Sequence, residues 1–317
     1  MTKQIRPLVI GIGTSGRRHL DAQLNLGNKT GIYTTNPQTA KSLRKQKNII
    51  IFENLEDGMG WANLVHVCTP DDKHTESVAK ALKKGKTVLC EKPFTTILKE
   101  ALFLQNLASK YGINVFVGQN YRLTPTFVEI RKKVLEGQLG IISHIKTTYF
   151  HDREDFQRRY KGKYFLYTGG SHAVDLACWI ANKQIVSVRA YSENNLKFHI
   201  TIQFTSGLKG DVELDASLPR PISGTDLIVD GERGKLTSHN KLDKLFFSKY
   251  EDKKNQSILL PNSKTFTIPL EIKIVNDYLL GKTVSHWPLP DVKEAVDLIK
   301  ILEAAKKSIA SDRNEKV

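Results

Sequence analysis

The feature that most limits how this chain can fold is a run of three glycines, Gly11, Gly13 and Gly16, in the stretch LVIGIGTSGRRHL. Their spacing, G-x-G-x-x-G, lies between a short apolar run, Leu8–Ile12, and a predicted helix, Arg17–Leu26. The first glycine of such a motif permits a tight turn, the second lets the backbone approach a pyrophosphate, and the third allows close helix–strand packing. Because a strand precedes the motif and a helix follows it, we favour dinucleotide binding over a ligand-free glycine turn.

The helix that follows the turn supplies the other half of a phosphate site. Its first residues, Thr14 and Ser15, present backbone N–H groups that have no acceptor within the helix. The helix dipole adds partial positive charge at the same end. We therefore expect Thr14 and Ser15 to bind the pyrophosphate together with the glycines.

Strand and helix signals alternate along the first 120 residues, and most of the strands are continuous apolar runs. This pattern predicts a parallel sheet covered on both faces, as in an α/β protein. The predicted strands after the first are Gly31–Thr34, Ile49–Phe52, Asn63–Cys68, Thr87–Cys90 and Ile113–Gly118. The predicted helices between them are Gln38–Lys45, Thr75–Lys84 and Thr96–Tyr111.

After about Tyr121 the pattern changes to longer strands, several of which alternate in polarity, as in KFHITIQF. Such alternation indicates a sheet with one solvent-facing side, so we predict an α+β domain with an antiparallel or mixed sheet. Its predicted strands are Ile142–His151, Ile185–Ser192, Phe198–Thr205, Leu208–Ala216 and Thr225–Val229. Its predicted helices are Pro125–Glu136, Ser171–Ala181 and Asp291–Ile309, the last with a capping box formed by Asp291 and Glu294.

Composition excludes several classes of protein. No apolar stretch approaches the roughly 20 residues that span a bilayer, and the glycine motif begins so near Met1 that we expect no signal peptide. The three cysteines are widely separated, which argues against a disulfide framework or a metal site and favours a cytoplasmic protein. The net charge of +15 raises nucleic acid as a partner, but the basic residues are scattered and no nucleic-acid-binding motif accompanies them, so we expect none.

The end of the second predicted strand bears on the choice between NAD and NADP. An acidic residue about 20 residues beyond the glycines binds the adenine ribose of NAD in many dinucleotide-binding folds. Here the strand ends in Thr34 and Thr35, with no carboxylate. A 2′-phosphate is then tolerated, and Lys41 or Arg44 on the next helix can pair with it. We favour NADP, with NAD as the alternative.

A lysine follows the predicted strand Thr87–Cys90 directly, in the run Glu91-Lys92-Pro93. At the carboxyl end of a parallel strand, above a nicotinamide site, such a lysine can exchange a proton with a substrate oxygen. Burial and neighbouring charges can bring its pKa towards the working pH.

With these residues the sequence resembles the glucose–fructose oxidoreductase and inositol dehydrogenase family, Gfo/Idh/MocA, over nearly its whole length. The Glu-Lys-Pro signature in this position is the most specific element of the resemblance. The other matching elements are the G-x-G-x-x-G-x-x-H form of Gly11–His19, Thr69-Pro70 with His74, Asn120-Tyr121-Arg122 with Pro125, Gly137–Gly140, and Leu302–Ala305.

The resemblance implies a Rossmann domain over residues 1–120 and a C-terminal domain over residues 121–317, whose open sheet lines the active site and mediates homo-oligomerisation, as a dimer or a tetramer. It implies hydride transfer between NAD(P) and a sugar, cyclitol or related carbinol, without a metal. Lys92 matches the catalytic lysine, and the Lys92–Pro93 bond is often cis in relatives. The residues that it adds to the cofactor site are Thr69, Pro70, His74 and Glu91, and Tyr121 and Arg122 are candidates for the substrate side.

The family usually carries a D-x-x-x-H-x-x-D pattern in its second domain, and residues 168–175 match it except at the first position. His172 falls on the family's histidine, a substrate-contacting acid/base in many members, and Asp175 falls on the last aspartate as its support. Thr168 replaces a carboxylate that binds a substrate hydroxyl or tunes the lysine or histidine. The alternative is that His172 is a packed helix residue, and we favour the functional role.

Two alternatives stay open. The segment HDREDFQRRYKGKYF, His151 to Phe165, interleaves basic and aromatic residues. It is either a substrate loop for an anionic group or a solvated loop with aromatic anchors. The rival function is a non-catalytic NAD(P)-sensing regulator of the same fold; retention of Lys92 and His172 argues against it, and Thr168 argues mildly for it.

Overall fold

The computed structural model of the chain describes residues 4–160, 165–218, 224–239, 243–251, 255–261, 267–282 and 288–317. The chain divides into two compact units. Unit 1 comprises Met1–Asn120 and Thr265–Ile299, and unit 2 comprises Tyr121–Lys264 and Lys300–Val317. The sequence analysis expects one domain boundary, after residue 120. The chain instead returns to unit 1 over Thr265–Ile299 and ends in unit 2.

Unit 1 is built on a six-stranded parallel sheet, as the alternating pattern predicts. Its strands are β1 (Pro7–Ile10), β2 (Thr30–Tyr33), β3 (Ile49–Ile51), β4 (Leu64–Val67), β5 (Thr87–Cys90) and β6 (Val115–Val117). Their order in the sheet is β3-β2-β1-β4-β5-β6. All residues of β1 and β4 are buried. The chain runs outwards from β1 to one edge and from β4 to the other, so the carboxyl ends of these two strands flank the switch point where doubly wound sheets bind ligands.

The helices of this alternating part are α1 (Thr14–Asn25), α2 (Pro37–Leu43), α3 (Leu55–Trp61), α4 (His74–Lys83) and α5 (Leu98–Tyr111). Helix α3 is absent from the sequence prediction because its seven residues, LEDGMGW, include two glycines, which disfavour helix. Packing requires one of them: a Cβ at Gly58 would lie 3.1 Å from a methyl carbon of Leu8. The Asn54 side chain accepts a hydrogen bond from the Glu56 N–H and starts the helix.

Unit 2 contains a nine-stranded, largely antiparallel sheet, as predicted. Its strands are β7 (Ile142–Asp152), β8 (Ile185–Asn194), β9 (Lys197–Phe204), β10 (Lys209–Leu218), β11 (Gly224–Gly231), β12 (Gly234–Ser238), β13 (Lys244–Lys249), β14 (Asn255–Leu259) and β15 (Glu315–Lys316). Their order is β14-β13-β12-β11-β7-β10-β9-β8-β15. Among the pairings described, β7 and β10 are parallel and the others antiparallel.

The helices of unit 2 that precede β8 are α6 (Pro125–Leu135), α7 (Arg153–Tyr160), α8 (Phe165–Thr168) and α9 (Gly170–Ala181). Helix α7 corrects the prediction of a loop over His151–Phe165. Among the side chains of α7 that the structure describes, only Phe156 is buried, and one apolar position gives no helical period in the sequence. Its ring packs edge-on against Phe165, with centroids 4.8 Å apart. Four residues of this segment, Lys161, Gly162, Lys163 and Tyr164, lie outside the described residues, as do the side chains of Asp155, Arg158, Arg159 and Tyr160.

Helix α10 (Thr267–Leu279) and the first part of α11 (Val292–Ser311) bring the chain back to unit 1. Helix α10 was not predicted; it packs on α1, where Gln23 and Asn276 exchange two side-chain hydrogen bonds. At the start of α11 the predicted capping box is confirmed. The Glu294 N–H donates to the Asp291 carboxylate at 2.9 Å, and the Asp291 N–H donates to that of Glu294 at 3.3 Å.

Candidate active site

The glycine turn joins β1 to α1 with the geometry that its spacing predicts. Gly11 has a φ of +85°, and a Cβ there would lie 2.8 Å from the Cys68 carbonyl oxygen. A Cβ at Gly16 would lie 1.9 Å from the Gly11 carbonyl oxygen, which shows how closely the helix packs on the turn. A Cβ at Gly13 would meet nothing within 4 Å, so the backbone at this position faces open space. The turn therefore leaves one side open to a ligand.

The first turn of α1 keeps its donors available. No side chain caps this turn, and it contains no acidic residue. Thr14 is exposed and Ser15 is half-buried. Because the first N–H groups of an α-helix have no acceptor inside the helix, these amides fit a pyrophosphate.

The edge next to the turn is formed by the residues after β2. The Thr34 hydroxyl accepts a hydrogen bond from the Asn36 N–H at 3.3 Å, and Thr35 is exposed. The Asn36 side chain caps α2. Of the two cations proposed for a 2′-phosphate, Arg44 already pairs with Glu53 at 2.9 Å, whereas Lys41 lies exposed in the last turn of α2.

Two loops at the carboxyl ends of β4 and β5 are tied together by His74. Its Nε2 lies 2.9 Å from the Thr69 carbonyl oxygen, and its Nδ1 lies 2.9 Å from the Pro93 carbonyl oxygen. The histidine is buried, and Pro70 beside Thr69 is exposed. His74 thus fixes the loop that contains Lys92 to the loop after β4.

Lys92 is the second residue after β5, is half-buried, and precedes Pro93 through a cis peptide bond. Its backbone N–H donates to Glu91 Oε2 at 3.2 Å. Burial favours the neutral form of Glu91, but the hydrogen bond from His19 and the positive charge of Lys92 outweigh it and lower the pKa of Glu91 to about 2. Lys92 is therefore held beside an ionised carboxylate.

A second carboxyl group, Glu271 on α10, lies close to the same strand ends. A Cβ at Gly118 would be 3.0 Å from Glu271 Oε1, and Gly118 donates its N–H to the Cys90 carbonyl. Glu271 is 1% exposed, and neither carboxyl oxygen has a hydrogen-bond partner among the described residues. Burial, with the charge of Glu91, raises the pKa of Glu271 well above its usual range.

The predicted substrate residues belong to unit 2 and sit mainly around α9. His172 stacks on Tyr121 with ring centroids 4.3 Å apart, and on Tyr149 at 5.5 Å. The carboxylate of Asp175 accepts two hydrogen bonds from Arg122, from Nε at 2.9 Å and from Nη2 at 2.6 Å. Asp175 therefore binds and neutralises Arg122.

Thr168 stands at the end of α8, just before α9. It is 5% exposed, and its carbonyl oxygen accepts a hydrogen bond from the Ser171 hydroxyl at 3.1 Å. Its own hydroxyl oxygen is buried and has no hydrogen-bond partner within the described part of the chain. The aromatic neighbours of His172 include Tyr149, which the sequence analysis did not single out.

Sequence reasoning also assigned no role to four buried residues of unit 1: Gln23, His19, His66 and Glu271. His19 was quoted as the last position of the G-x-G-x-x-G-x-x-H motif without a role. The other three lie on α1, β4 and α10 and carry no local signal, because only the fold brings them near the ends of β4 and β5.

None of the helices in the described ranges has the length and apolar character needed to cross a membrane. In the same part of the chain, no group of three or more His, Cys, Asp or Glu side chains is placed to hold a metal ion.

Comparison with protein families gives two matches. Residues 5–119 match the model described as an oxidoreductase family with an NAD-binding Rossmann fold. Residues 127–237 match the model described as a GFO/IDH/MocA C-terminal domain.

Two curated relatives come from Bacillus subtilis. Glucose-6-phosphate 3-dehydrogenase is 29% identical over 203 residues, which cover 60% of this chain and 58% of that protein. The scyllo-inositol 2-dehydrogenase (NADP(+)) IolW is 27% identical over 283 residues, 79% of this chain and 77% of that protein. The first alignment thus spans a little over half of the relative's length.

Solved structures share the fold over the full length of the chain. Levoglucosan dehydrogenase in complex with NADH and levoglucosan superimposes with a TM-score of 0.86 at 18% identity, covering 99% of both chains. The WlbA dehydrogenase from Bordetella pertussis, in complex with NADH and UDP-GlcNAcA, gives 0.85 at 20% identity, covering 99% of this chain and 98% of that chain. At this level of identity the likeness shows the fold.

Proposed function

Because this chain belongs to the Gfo/Idh/MocA family of oxidoreductases, we propose that it transfers a hydride between a nicotinamide dinucleotide and a carbinol carbon of a sugar or cyclitol. The observation that carries the proposal is the position of Lys92, at the carboxyl end of β5 beside an ionised Glu91. A carbinol that loses a hydride must also lose its hydroxyl proton. Neutral Lys92 accepts that proton in oxidation, and its ammonium form returns it in reduction.

The residues that would hold the dinucleotide are those of the open glycine turn and the loops beside it. Gly11, Gly13 and Gly16 with the amides of Thr14 and Ser15 bind the pyrophosphate. The residues that complete the cofactor site are Thr34, Thr35, Thr69, Pro70, His74, Glu91 and Lys92. When bound, the nicotinamide supplies the hydride acceptor or donor, and the lysine handles only the proton.

The preferred cofactor is NADP, with NAD as the alternative. The side chains at the end of β2 are hydroxyls, so no carboxylate repels a 2′-phosphate. Lys41 supplies an exposed cation one helix away, and the surface pair of Arg44 with Glu53 is weak enough to exchange for a phosphate. The NADP in the name of IolW supports the same preference.

The proposed substrate is a sugar or cyclitol, and the basic segment after β7 supports an anionic group on it. The names of the relatives and neighbours include glucose 6-phosphate, scyllo-inositol, levoglucosan and UDP-GlcNAcA. In unit 2, His172 acts as a second acid/base or substrate ligand, held by stacking on Tyr121. Tyr121 and Thr168 line the substrate side, and Asp175 positions Arg122.

The relatives' names are those of dehydrogenases, which supports catalysis over the alternative of an NAD(P)-sensing regulator. A cytoplasmic location and homo-oligomeric assembly, as a dimer or a tetramer, stay predictions, as does the absence of a nucleic-acid or membrane partner.

The test of the proposed function is a Lys92→Ala variant assayed with NADP and NAD against glucose 6-phosphate, the inositols and levoglucosan. Turnover falls by roughly 100-fold or more, the scale for loss of a positioned proton-transfer group. Dinucleotide affinity changes little, because backbone amides hold the pyrophosphate. Lys110→Ala, which removes an exposed lysine at the end of α5, keeps full turnover. Full activity of Lys92→Ala would refute the assignment.

The cofactor preference is tested by thermal stabilisation, because a ligand that binds the native state raises the melting temperature. We expect NADP to stabilise the wild-type protein more than NAD does. In Thr34→Asp, the new carboxylate repels the 2′-phosphate and accepts ribose hydroxyls, so the order reverses. Stronger stabilisation of the wild type by NAD would contradict the preference, and Thr39→Asp on α2 serves as the control for added charge.

A further inference from the structure

A chain of buried polar side chains runs through unit 1 and ends at Glu91. Gln23 Nε2 lies 2.9 Å from His66 Nε2, and His66 Nδ1 lies 2.9 Å from His19 Nδ1. The chain ends where His19 Nε2 lies 3.2 Å from Glu91 Oε1. Gln23, His66 and His19 are fully buried. Polar side chains buried this deeply reduce the stability of a protein unless each of their hydrogen bonds is made. Their presence in unit 1 therefore calls for a functional explanation.

The far end of the chain is fixed in place. Gln23 Nε2 donates to Asn276 Oδ1 at 3.1 Å, and Asn276 Nδ2 donates back to Gln23 Oε1 at 2.9 Å. Asn28 adds a third hydrogen bond to Gln23 Oε1 at 2.8 Å. Gln23 is therefore held by α10 and by the end of α1 and cannot turn away from His66.

The protons along the chain have one direction that satisfies every contact. Glu91 is ionised and only accepts, so His19 must carry its proton on Nε2. Burial lowers the pKa of His66 well below its usual range, so His66 is neutral and carries one proton. With that proton on Nδ1, His66 accepts from Gln23 and donates to His19.

The opposite direction requires a cost that the first avoids. If His66 carried its proton on Nε2, that N–H would face the Gln23 amide nitrogen, which is a donor and cannot accept it, and His66 would accept from His19. His19 would then need protons on both nitrogens to satisfy His66 and Glu91, which places a cation in a fully buried position.

We propose that Gln23, His66 and His19 are positioning residues that orient Glu91 and keep it an ionised acceptor beside Lys92. Oε1 of Glu91 is bound by His19 and Oε2 by the Lys92 N–H. The carboxylate is 14% exposed, so it can still accept a hydrogen bond from a ribose hydroxyl of the dinucleotide. We call Gln23, His66 and His19 the relay. This inference rests on the proposed function, because it assigns the relay to the cofactor side of that site.

The relay is tested with variants at His19 and His66 whose affinity for NADPH and NADH is measured by tryptophan fluorescence. His19→Leu and His66→Leu interrupt the hydrogen bonds of the relay, so Glu91 is no longer held in one orientation. We expect the Kd to rise about tenfold or more. His19→Gln keeps a donor for Glu91 and an acceptor for His66, so it stays within about threefold of the wild type. Unchanged Kd values in both leucine variants would overturn the proposal.

A folding defect is separated by a matched control. Leu82→Ala removes a fully buried side chain from α4, a helix that contributes no residue to the relay. It lowers the melting temperature while the Kd stays at the wild-type value. If instead the Kd rises in Leu82→Ala in proportion to its loss of melting temperature, the relay variants report only stability and the proposal fails.

The direction of the relay is read by 15N NMR of the histidines in the ligand-free wild-type protein. We expect neutral His66 protonated on Nδ1 and His19 protonated on Nε2. A His66 proton on Nε2 would overturn the proposed direction. If the wild type binds neither dinucleotide, the proposed function fails, and the tautomers alone then uphold or overturn the relay.

Discussion

At the scale of single residues, the three glycines of the first turn have different tasks. Gly11 adopts a left-handed backbone, and Gly16 leaves no room for a Cβ beside the Gly11 carbonyl. Both are required by the fold of the turn itself. Gly13 has a φ of −80° and open space around it, so nothing in the folded chain excludes a larger residue there. Its glycine is explained only by a ligand that approaches the backbone.

This difference gives a test that separates folding from binding. Gly13→Ala leaves the free energy of unfolding within about 0.5 kcal/mol of the wild type. It raises the Kd for NADP(H) tenfold or more, because the methyl group stands where the pyrophosphate approaches. Gly16→Ala lowers the melting temperature as well, because its Cβ would lie 1.9 Å from a backbone oxygen. Calorimetry and a fluorescence titration measure both quantities; normal cofactor affinity in Gly13→Ala would remove the phosphate role from this turn.

Arg122 shows how a matched motif position can carry a different task from the one its chemistry suggests. An arginine beside a substrate site is a ready anion ligand. Here Asp175 takes two of its N–H groups, and both side chains are almost fully buried. The charges cancel within unit 2, and removing either partner would leave a buried charge uncompensated. The pair with Asp175 therefore gives Arg122 a structural task within unit 2.

At the scale of elements, the sequence predicts best where one strand or helix carries its own signal. Strands β1, β4 and β5 are buried on both faces, so they read as continuous apolar runs. Strand β14 is almost wholly exposed and has no apolar face to read; it is ordered by pairing with β13. Helix α3 contains two glycines and depends on its packing and its Asn54 cap. Tertiary contacts override local propensity in both cases.

The residues of the candidate site show the same difference between local signals and tertiary contacts. The glycine turn and Lys92 stand at strand ends and can be placed by spacing alone. The partners of Glu91 cannot, because His19, His66 and Gln23 are separated by up to 47 residues and meet only through sheet order. Glu271 lies further still along the chain, on a helix that returns to unit 1. A sequence pattern reports periodicity within an element, whereas these contacts depend on which elements are neighbours.

At the scale of the whole molecule, three buried groups of unit 1 link stability to pH in opposite directions. The lowered pKa of Glu91 means that its contribution is present above about pH 4.5 and is lost as the pH falls towards 2. The lowered pKa of His66 also costs stability as the pH falls below about 6.5, since the unfolded chain then binds a proton that the folded chain does not. Glu271 acts in the other sense. Its raised pKa means that the folded chain keeps a proton that the unfolded chain releases.

The last prediction isolates Glu271 from the other two groups. Its contribution to stability is complete below about pH 4.5 and decreases as the pH rises towards its folded pKa, by about 1.4 kcal/mol for each pH unit. Glu271→Gln has nearly the same shape and cannot ionise, so it lacks this loss. We therefore expect the variant to gain stability relative to the wild type as the pH rises from 4 to 8, in melts at each pH.

The control for this prediction is Glu53→Gln, which removes an exposed carboxylate, 84% accessible, from the same unit. Its stability relative to the wild type stays nearly constant over the same range, because an exposed carboxylate has similar surroundings in both states. A constant difference for Glu271→Gln as well would mean that Glu271 titrates alike in the folded and unfolded chain. Since the charge of ionised Glu91 helps to keep Glu271 protonated, Glu91→Gln should also reduce the pH dependence that Glu271 contributes.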